Sequence, residues 1–186
     1  DIVVEAVYEN LDLKQEIFQK LDTHTNANAI LASNTSGLDI DAIASSTTRP
    51  GKVVGTHFFS PANIMRLLEV VRGGESSDET MATVMALGKK MNKASVVSLN
   101  APGFIGNRML SGYTYQANML LLEGALPNQV DNALESFGMS MGPFRICLLY
   151  TSDAADDMQC VDLGGRRIIK KRVGVSSRLS CEHWRS

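Results

Sequence analysis

Residues 2 to 7, Ile2-Val3-Val4-Glu5-Ala6-Val7, form a short and almost wholly apolar run rich in Val. Such a run suits a strand covered on both faces, and predicts an interior parallel strand. From Asn10 to Leu21 the apolar positions Leu13, Ile17, Phe18 and Leu21 recur at helical spacing, and Ala29-Ile30-Leu31-Ala32 repeats the buried-strand pattern. A short helix is predicted from Asp39 to Ala44, after which Arg49-Pro50-Gly51 turns the chain into a third strand, Lys52 to Phe59. Leu67-Leu68-Glu69-Val70-Val71 reads as a fourth. Ser76-Ser77-Asp78-Glu79 opens a helix, with Ser76 three residues before Glu79 in a capping-box spacing. Met81, Val84, Met85 and Met91 fall on one side of that helix and read as core filling.

After a last strand at Val96-Val97, Asn100-Ala101-Pro102-Gly103 breaks the alternation. A long helix from Phe104 to Glu123 closes at Gly124, and a further one, opened by Pro127 and carrying Val130, Leu134 and Phe137, stops at Gly138. The pattern therefore predicts half of an α/β sheet domain over residues 1–100, followed by the start of an all-helical domain over 101–145. From Ile146 both periodicities vanish. Residues 146–186 hold 7 Lys+Arg against 5 Asp+Glu, whereas residues 1–145 hold 11 against 15, and the stretch Tyr150 to Lys171 resembles translated sequencing-adapter DNA. This tail is expected to be foreign to the natural protein or disordered, the other reading being a basic surface extension.

Composition narrows the partners. A formal charge of −2 lacks the Lys and Arg excess that nucleic acid demands, and no apolar run approaches the roughly 20 residues of a membrane-spanning helix. A small-molecule partner is the expectation. The chain opens on Asp1 without Met or targeting leader, and the natural N-terminus is expected to lie upstream. Cys147, Cys160 and Cys181 match neither a zinc site nor a CxxC pair.

Sheets of this kind receive ligands at the carboxyl ends of their strands. Polar residues there are Glu9 and Asn10, Ser33-Asn34-Thr35-Ser36, His57, and Glu69 inside the fourth strand. An imidazole exchanges protons near neutral pH, so His57 suits a general base, and a carboxylate such as Glu69 would fix its tautomer and stabilise the imidazolium. A charged Glu between Leu68 and Val70 is costly to bury unless paired. Spacing alone leaves the pairing open, because a lone strand His is usually a satisfied core residue and a strand Glu can face solvent.

Six ordered blocks carry a resemblance: Glu5-Ala6-Val7-Tyr8-Glu9-Asn10-Leu11, Leu31-Ala32-Ser33-Asn34-Thr35-Ser36, His57-Phe58-Phe59-Ser60-Pro61-Ala62, Leu68-Glu69-Val70-Val71, Pro102-Gly103-Phe104-Ile105-Gly106-Asn107-Arg108 and Met141-Gly142-Pro143-Phe144. Residues 1–145 resemble the 3-hydroxyacyl-CoA dehydrogenase family throughout. Ser60, where the stand-alone mitochondrial enzyme typically has Asn, is more similar to the bacterial and peroxisomal multifunctional fatty-acid oxidation enzymes. The resemblance implies a Rossmann-like parallel sheet domain, NAD as cofactor and an acyl-CoA substrate. It makes His57 the catalytic base and Glu69 its partner, with Ser36 and Asn107 holding the substrate oxygen. Glu9, Lys14, Asn34 and Ser36 would grip the nicotinamide side of NAD. It further implies a homodimer or a part of a multifunctional chain, in the bacterial cytoplasm first, and in peroxisomes or mitochondria as alternatives.

Two other functions stay in view: a non-catalytic binding or structural relative, as in the crystallin group, and a β-hydroxyacid dehydrogenase. The latter usually places a Lys base on a helix at the domain junction, where this chain reads Gly106-Asn107-Arg108. No G-x-G-x-x-G follows a strand, and Gly73-Gly74 lacks that spacing, so the pyrophosphate-binding half of the cofactor domain is absent from these residues. The 186-residue chain alone, mixed with NAD and 3-hydroxybutyryl-CoA, is therefore expected to give at most trace NADH absorbance. Robust turnover would show the phosphate loop to be dispensable.

Overall fold

Residues 1–152 are described by a computed structural model, and the strand-helix alternation predicted from the apolar pattern is present in it. The elements are β1 (Ile2–Glu5), α1 (Leu11–His24), β2 (Ile30–Ser33), α2 (Ile40–Ala44), β3 (Val53–Phe58), β4 (Leu67–Arg72), α3 (Asp78–Lys90), β5 (Ala94–Leu99), α4 (Gly106–Leu122), α5 (Pro127–Phe137) and α6 (Pro143–Ser152), with a 3-10 turn at Pro50–Lys52. The chain divides into two compact units, Asp1–Ser111 and Gly112 onward.

In the first unit the five strands form one sheet in the order β1-β2-β3-β4-β5. Successive strand residues alternate between two cores. Leu31, Val53 and Val71 meet Phe18 of α1, Ile40 and Ile43 of α2, and Phe104 on one face. Ile30, Ala32, Val54, Leu68 and Val70 meet Met81 and Val84 of α3 on the other. Burying each of the larger of these side chains stabilises the fold by about 1.5–3 kcal/mol, and two covered faces explain why β2, β3 and β4 read as continuous apolar runs.

Two expectations are corrected. The sheet is mixed rather than parallel: β1-β2-β3 and β4-β5 run parallel, but β3 and β4 are antiparallel. The connection from Phe59 to Arg66 is too short for the dozen or more residues a parallel crossover requires. Among the described residues β1 is an edge strand, with Val4 46% exposed. The cap of α3 is Ser77, whose Oγ accepts from Thr80 N at 3.1 Å. Ser76 is turned inward instead, donating to the Val53 carbonyl at 2.6 Å and accepting from Gly73 N.

In the second unit, α5 ends at Gly138 with φ of +120°, and Val130 is buried while Phe137 on its last turn is 85% exposed. The helix α6 carries on to Ser152, past Ile146 where the pattern predicts no element. Its start is fixed from α5: the buried Asp131 accepts from Phe144 N at 3.0 Å, and Glu135 accepts from Gly142 N at 2.9 Å and pairs with Arg145. The expectation for residues 153–186 lies outside the described residues.

Gly55 leaves no room for a side chain beneath β3. A Cβ there would sit 2.7 Å from Val71 Cβ and 2.9 Å from Ile40 Cδ1. Gly55→Ala is expected to lower stability by about 1–3 kcal/mol through overpacking, read as a shift of the urea midpoint at unchanged slope.

Candidate active site

The antiparallel pairing sets the register in which His57 faces Glu69 across β3 and β4. Both are buried, His57 4% and Glu69 0% exposed, and His57 Nδ1 lies 2.7 Å from Glu69 Oε2. The other carboxylate oxygen, Oε1, accepts from Ile105 N at 2.9 Å and from Gly106 N at 2.8 Å. Those N–H groups belong to the start of α4, where the helix has no internal acceptor for them and its dipole favours a negative charge. The chain reaches this orientation through Gly103 and Phe104, at φ of +69° and +46°. That turn also starts the helix at Gly106, later than the pattern suggested.

Burial by itself would raise the Glu69 pKa. The hydrogen bond with His57, the Gly106 and Ile105 amides, and the charge of His57 outweigh it and hold the carboxyl below the usual carboxylate range. Glu69 is thus an anion at neutral pH, and through Nδ1 it fixes which ring nitrogen of His57 carries the proton. Nε2 is left for proton exchange, with no protein partner among the described residues. Phe59 packs on the imidazole with ring centroids 4.3 Å apart, and Phe104 lies at 6.1 Å. Gly106 makes room for Phe59, whose Cζ would be 2.6 Å from a Cβ at that position.

The remaining candidates gather at the carboxyl ends of β1 and β2. Glu9 Oε1 accepts from Thr35 Oγ1 at 2.5 Å, from Ser36 N at 2.8 Å and from Ser36 Oγ at 3.2 Å. Asn107 Nδ2 donates to the Ser36 carbonyl at 3.1 Å, so Asn107 and Ser36 are neighbours despite their sequence separation. Asn34 Oδ1 accepts from Phe58 N at 2.9 Å, tying the loop after β2 to the end of β3 beside His57. Lys14 is fully buried: its Nζ donates to Glu5 Oε1 at 2.8 Å and to the Val7 carbonyl at 3.1 Å, and lies 3.6 Å from Glu9 Oε2.

Sequence reasoning missed Glu5, 4% exposed, which also accepts from Val7 N and from Ser33 Oγ. Glu5, like Glu69, is an acid inside an apolar strand, and that was the signal that could have found it. The amides of Ile105 and Gly106 were missed because backbone donors leave no mark in residue types.

Comparison with known proteins gives consistent matches. Residues 1–101 match the family model described as 3-hydroxyacyl-CoA dehydrogenase, NAD binding domain, and residues 103–174 the one described as 3-hydroxyacyl-CoA dehydrogenase, C-terminal domain. The chain is 50% identical over 176 residues to the peroxisomal bifunctional enzyme of Danio rerio, covering 95% of this chain and 23% of that protein. To the peroxisomal bifunctional enzyme of Homo sapiens it is 54% identical over 146 residues, 78% of this chain and 20% of that protein. The solved structure of (S)-3-hydroxybutyryl-CoA dehydrogenase from Ralstonia eutropha superposes with a TM-score of 0.74 at 40% identity, covering 77% of this chain and 51% of that one. The chain thus spans about a fifth to a quarter of the length of the curated relatives it matches.

Glu69→Gln is expected to cost about 1–3 kcal/mol at neutral pH, because one of the buried donors loses its acceptor. Since the folded carboxyl is held below its ordinary pKa, the stability it contributes is whole above the ordinary carboxylate range and is lost as pH falls through the depressed folded value. Urea midpoints taken from neutral to acid pH should show the gap between wild type and variant closing on the acid side; a constant gap would exclude this account of Glu69.

Proposed function

The chain belongs to the 3-hydroxyacyl-CoA dehydrogenase family, and from that footing we propose that the intact polypeptide oxidises (S)-3-hydroxyacyl-CoA to 3-ketoacyl-CoA with NAD in fatty-acid β-oxidation. The observation that carries the reading is the buried 2.7 Å contact between His57 Nδ1 and Glu69. In it a carboxylate orients an imidazole, and a base is made without exposing either group.

The residues at the carboxyl ends of β1 and β2 fit the nicotinamide end of the cofactor. Glu9 offers a half-buried carboxylate that can accept from ribose hydroxyls, while Asn34 and Ser36 supply amide and hydroxyl groups of both hydrogen-bonding senses. These three would hold that end of NAD; Lys14, expected beside them as a cofactor contact, is fully buried with its ammonium turned to Glu5, and would back Glu9 from within. None of the chain's glycines has the G-x-G-x-x-G spacing, which leaves the pyrophosphate to residues outside the 186. When bound, NAD supplies the acceptor for the hydride.

Everything concerning the proton falls to this chain. His57 Nε2 takes the proton of the substrate hydroxyl, and the imidazolium so formed is stabilised by Glu69 through Nδ1. Ser36 and Asn107, brought together at the Ser36 carbonyl, hold the substrate oxygen and stabilise its developing carbonyl character. The Danio rerio and Homo sapiens relatives are peroxisomal bifunctional enzymes, and we propose the same kind of multifunctional peroxisomal chain for this activity. No described helix is long and apolar enough to cross a membrane.

In the intact polypeptide, His57→Gln is expected to reduce kcat for 3-hydroxyacyl-CoA oxidation by roughly 10²–10⁴-fold, followed as NADH absorbance, with KM for the acyl-CoA little changed. Undiminished turnover would remove His57 as the base.

A further inference from the structure

Lys14 and Glu5 form a buried ion pair, with both side chains 1% exposed. The Lys14 ammonium spends its donors inside the protein, on Glu5 Oε1 at 2.8 Å and on the Val7 carbonyl at 3.1 Å, with Glu9 Oε2 at 3.6 Å. Glu5 divides its two oxygens in the same way. Oε1 takes Lys14 and Val7 N, while Oε2 takes Ser33 Oγ at 2.8 Å from the residue facing it in register on β2. One carboxylate therefore straddles the point where the chain leaves β1 and β2 for the two loops that carry Glu9 and Ser36.

Stability is a poor reason for such a pair. Desolvating two charges costs about as much as their attraction returns, and apolar replacements of similar volume are often neutral or stabilising by about 1–4 kcal/mol. A buried pair does fix geometry, because each partner has one acceptable position. Lys14 in turn is the cation nearest Glu9, and Glu9 Oε1 holds Thr35 Oγ1, Ser36 N and Ser36 Oγ. If the charge of Glu5 is removed, the ammonium keeps Glu9 as its only carboxylate partner. Attraction would then draw Glu9 toward Lys14 and away from Ser36.

We propose that Glu5 is a positioning residue for the nicotinamide end of the site: paired with the buried Lys14, it sets the place of Glu9 and, through Glu9, of the Ser36 backbone. This rests on the reading of Glu9 and Ser36 as cofactor contacts given above. Lys14 then acts on the cofactor from beneath, through Glu9, and the two buried charges work as one unit.

The test uses the intact polypeptide with Glu5→Gln, Lys14→Met and the double variant, and measures NADH binding by fluorescence, ADP binding by calorimetry, and KM for the acyl-CoA. Glu5→Gln and Lys14→Met are each expected to weaken NADH by roughly 10- to 100-fold, the scale of a small misplacement of a binding group. Affinity for ADP, which lacks the nicotinamide half, and KM for the acyl-CoA should stay close to wild type, a split that general destabilisation would not produce. The double variant should bind NADH about as weakly as either single one, since residues acting as a unit are not additive. Wild-type NADH affinity in Glu5→Gln, or losses that multiply in the double variant, would overturn the proposal. Should Glu5→Gln fail to fold, Glu5→Asp keeps the charge while shortening its reach: an intermediate loss of NADH affinity supports the role, and none refutes it. A wild-type protein that binds no NADH, or a His57→Gln variant with full turnover, would instead defeat the functional reading itself.

Discussion

A carboxylate sealed from water at the centre of the sheet domain has to be satisfied on both of its oxygens, and Glu69 meets that demand by joining three segments of chain. Its Oε2 holds His57 of β3, and its Oε1 holds the Ile105 and Gly106 amides at the start of α4. Leaving one of these buried donors without its acceptor costs about 1–3 kcal/mol, so the imidazole, the strand and the helix start are held in place together. The carboxyl is thereby kept ionised, and it is the ionised form that orients the imidazole. Structural support and chemical readiness come from the same contacts.

This arrangement needs β3 and β4 to run in opposite directions. The antiparallel ladder aligns His57 with Glu69, and it is followed on the same face by Phe104 and the turn into α4. Parallel pairing of β1, β2 and β3 meanwhile brings two loops to one end of the sheet, where Glu9, Asn34 and Ser36 lie. The mixed sheet thus places the imidazole and its carboxylate on its antiparallel pair and the polar side chains at the carboxyl ends of its parallel part.

Much of this could be read from residue types. The two-sided apolar runs marked the strands, and helical spacing marked α1, α3 and α5, because both depend on burial, which is a property of individual side chains. The resemblance then assigned His57 and Glu69, which spacing alone had left open. Direction of strand pairing was not readable from apolar content, although the short Phe59–Arg66 connection encoded it. The choice of Ser77 over Ser76 as a cap turned on a single hydroxyl preferring the Val53 carbonyl. Lys14, which the resemblance assigned to the cofactor, is buried against Glu5, and that pairing was not legible because Glu5 is the one acid in an otherwise apolar run.

Sequence drift should respect this layout unevenly. Residues Ser60 to Arg66 are all exposed, and the alignment of His57 with Glu69 is locked by packing on both faces of the flanking strands rather than by the connecting hairpin. Lengthening that hairpin leaves the match between strands intact. Inserting a single residue within β4, by contrast, would carry the downstream side chains to opposite faces of the sheet. Spacing within the strands beneath the imidazole is therefore constrained more tightly than chain length in the exposed rim beside it.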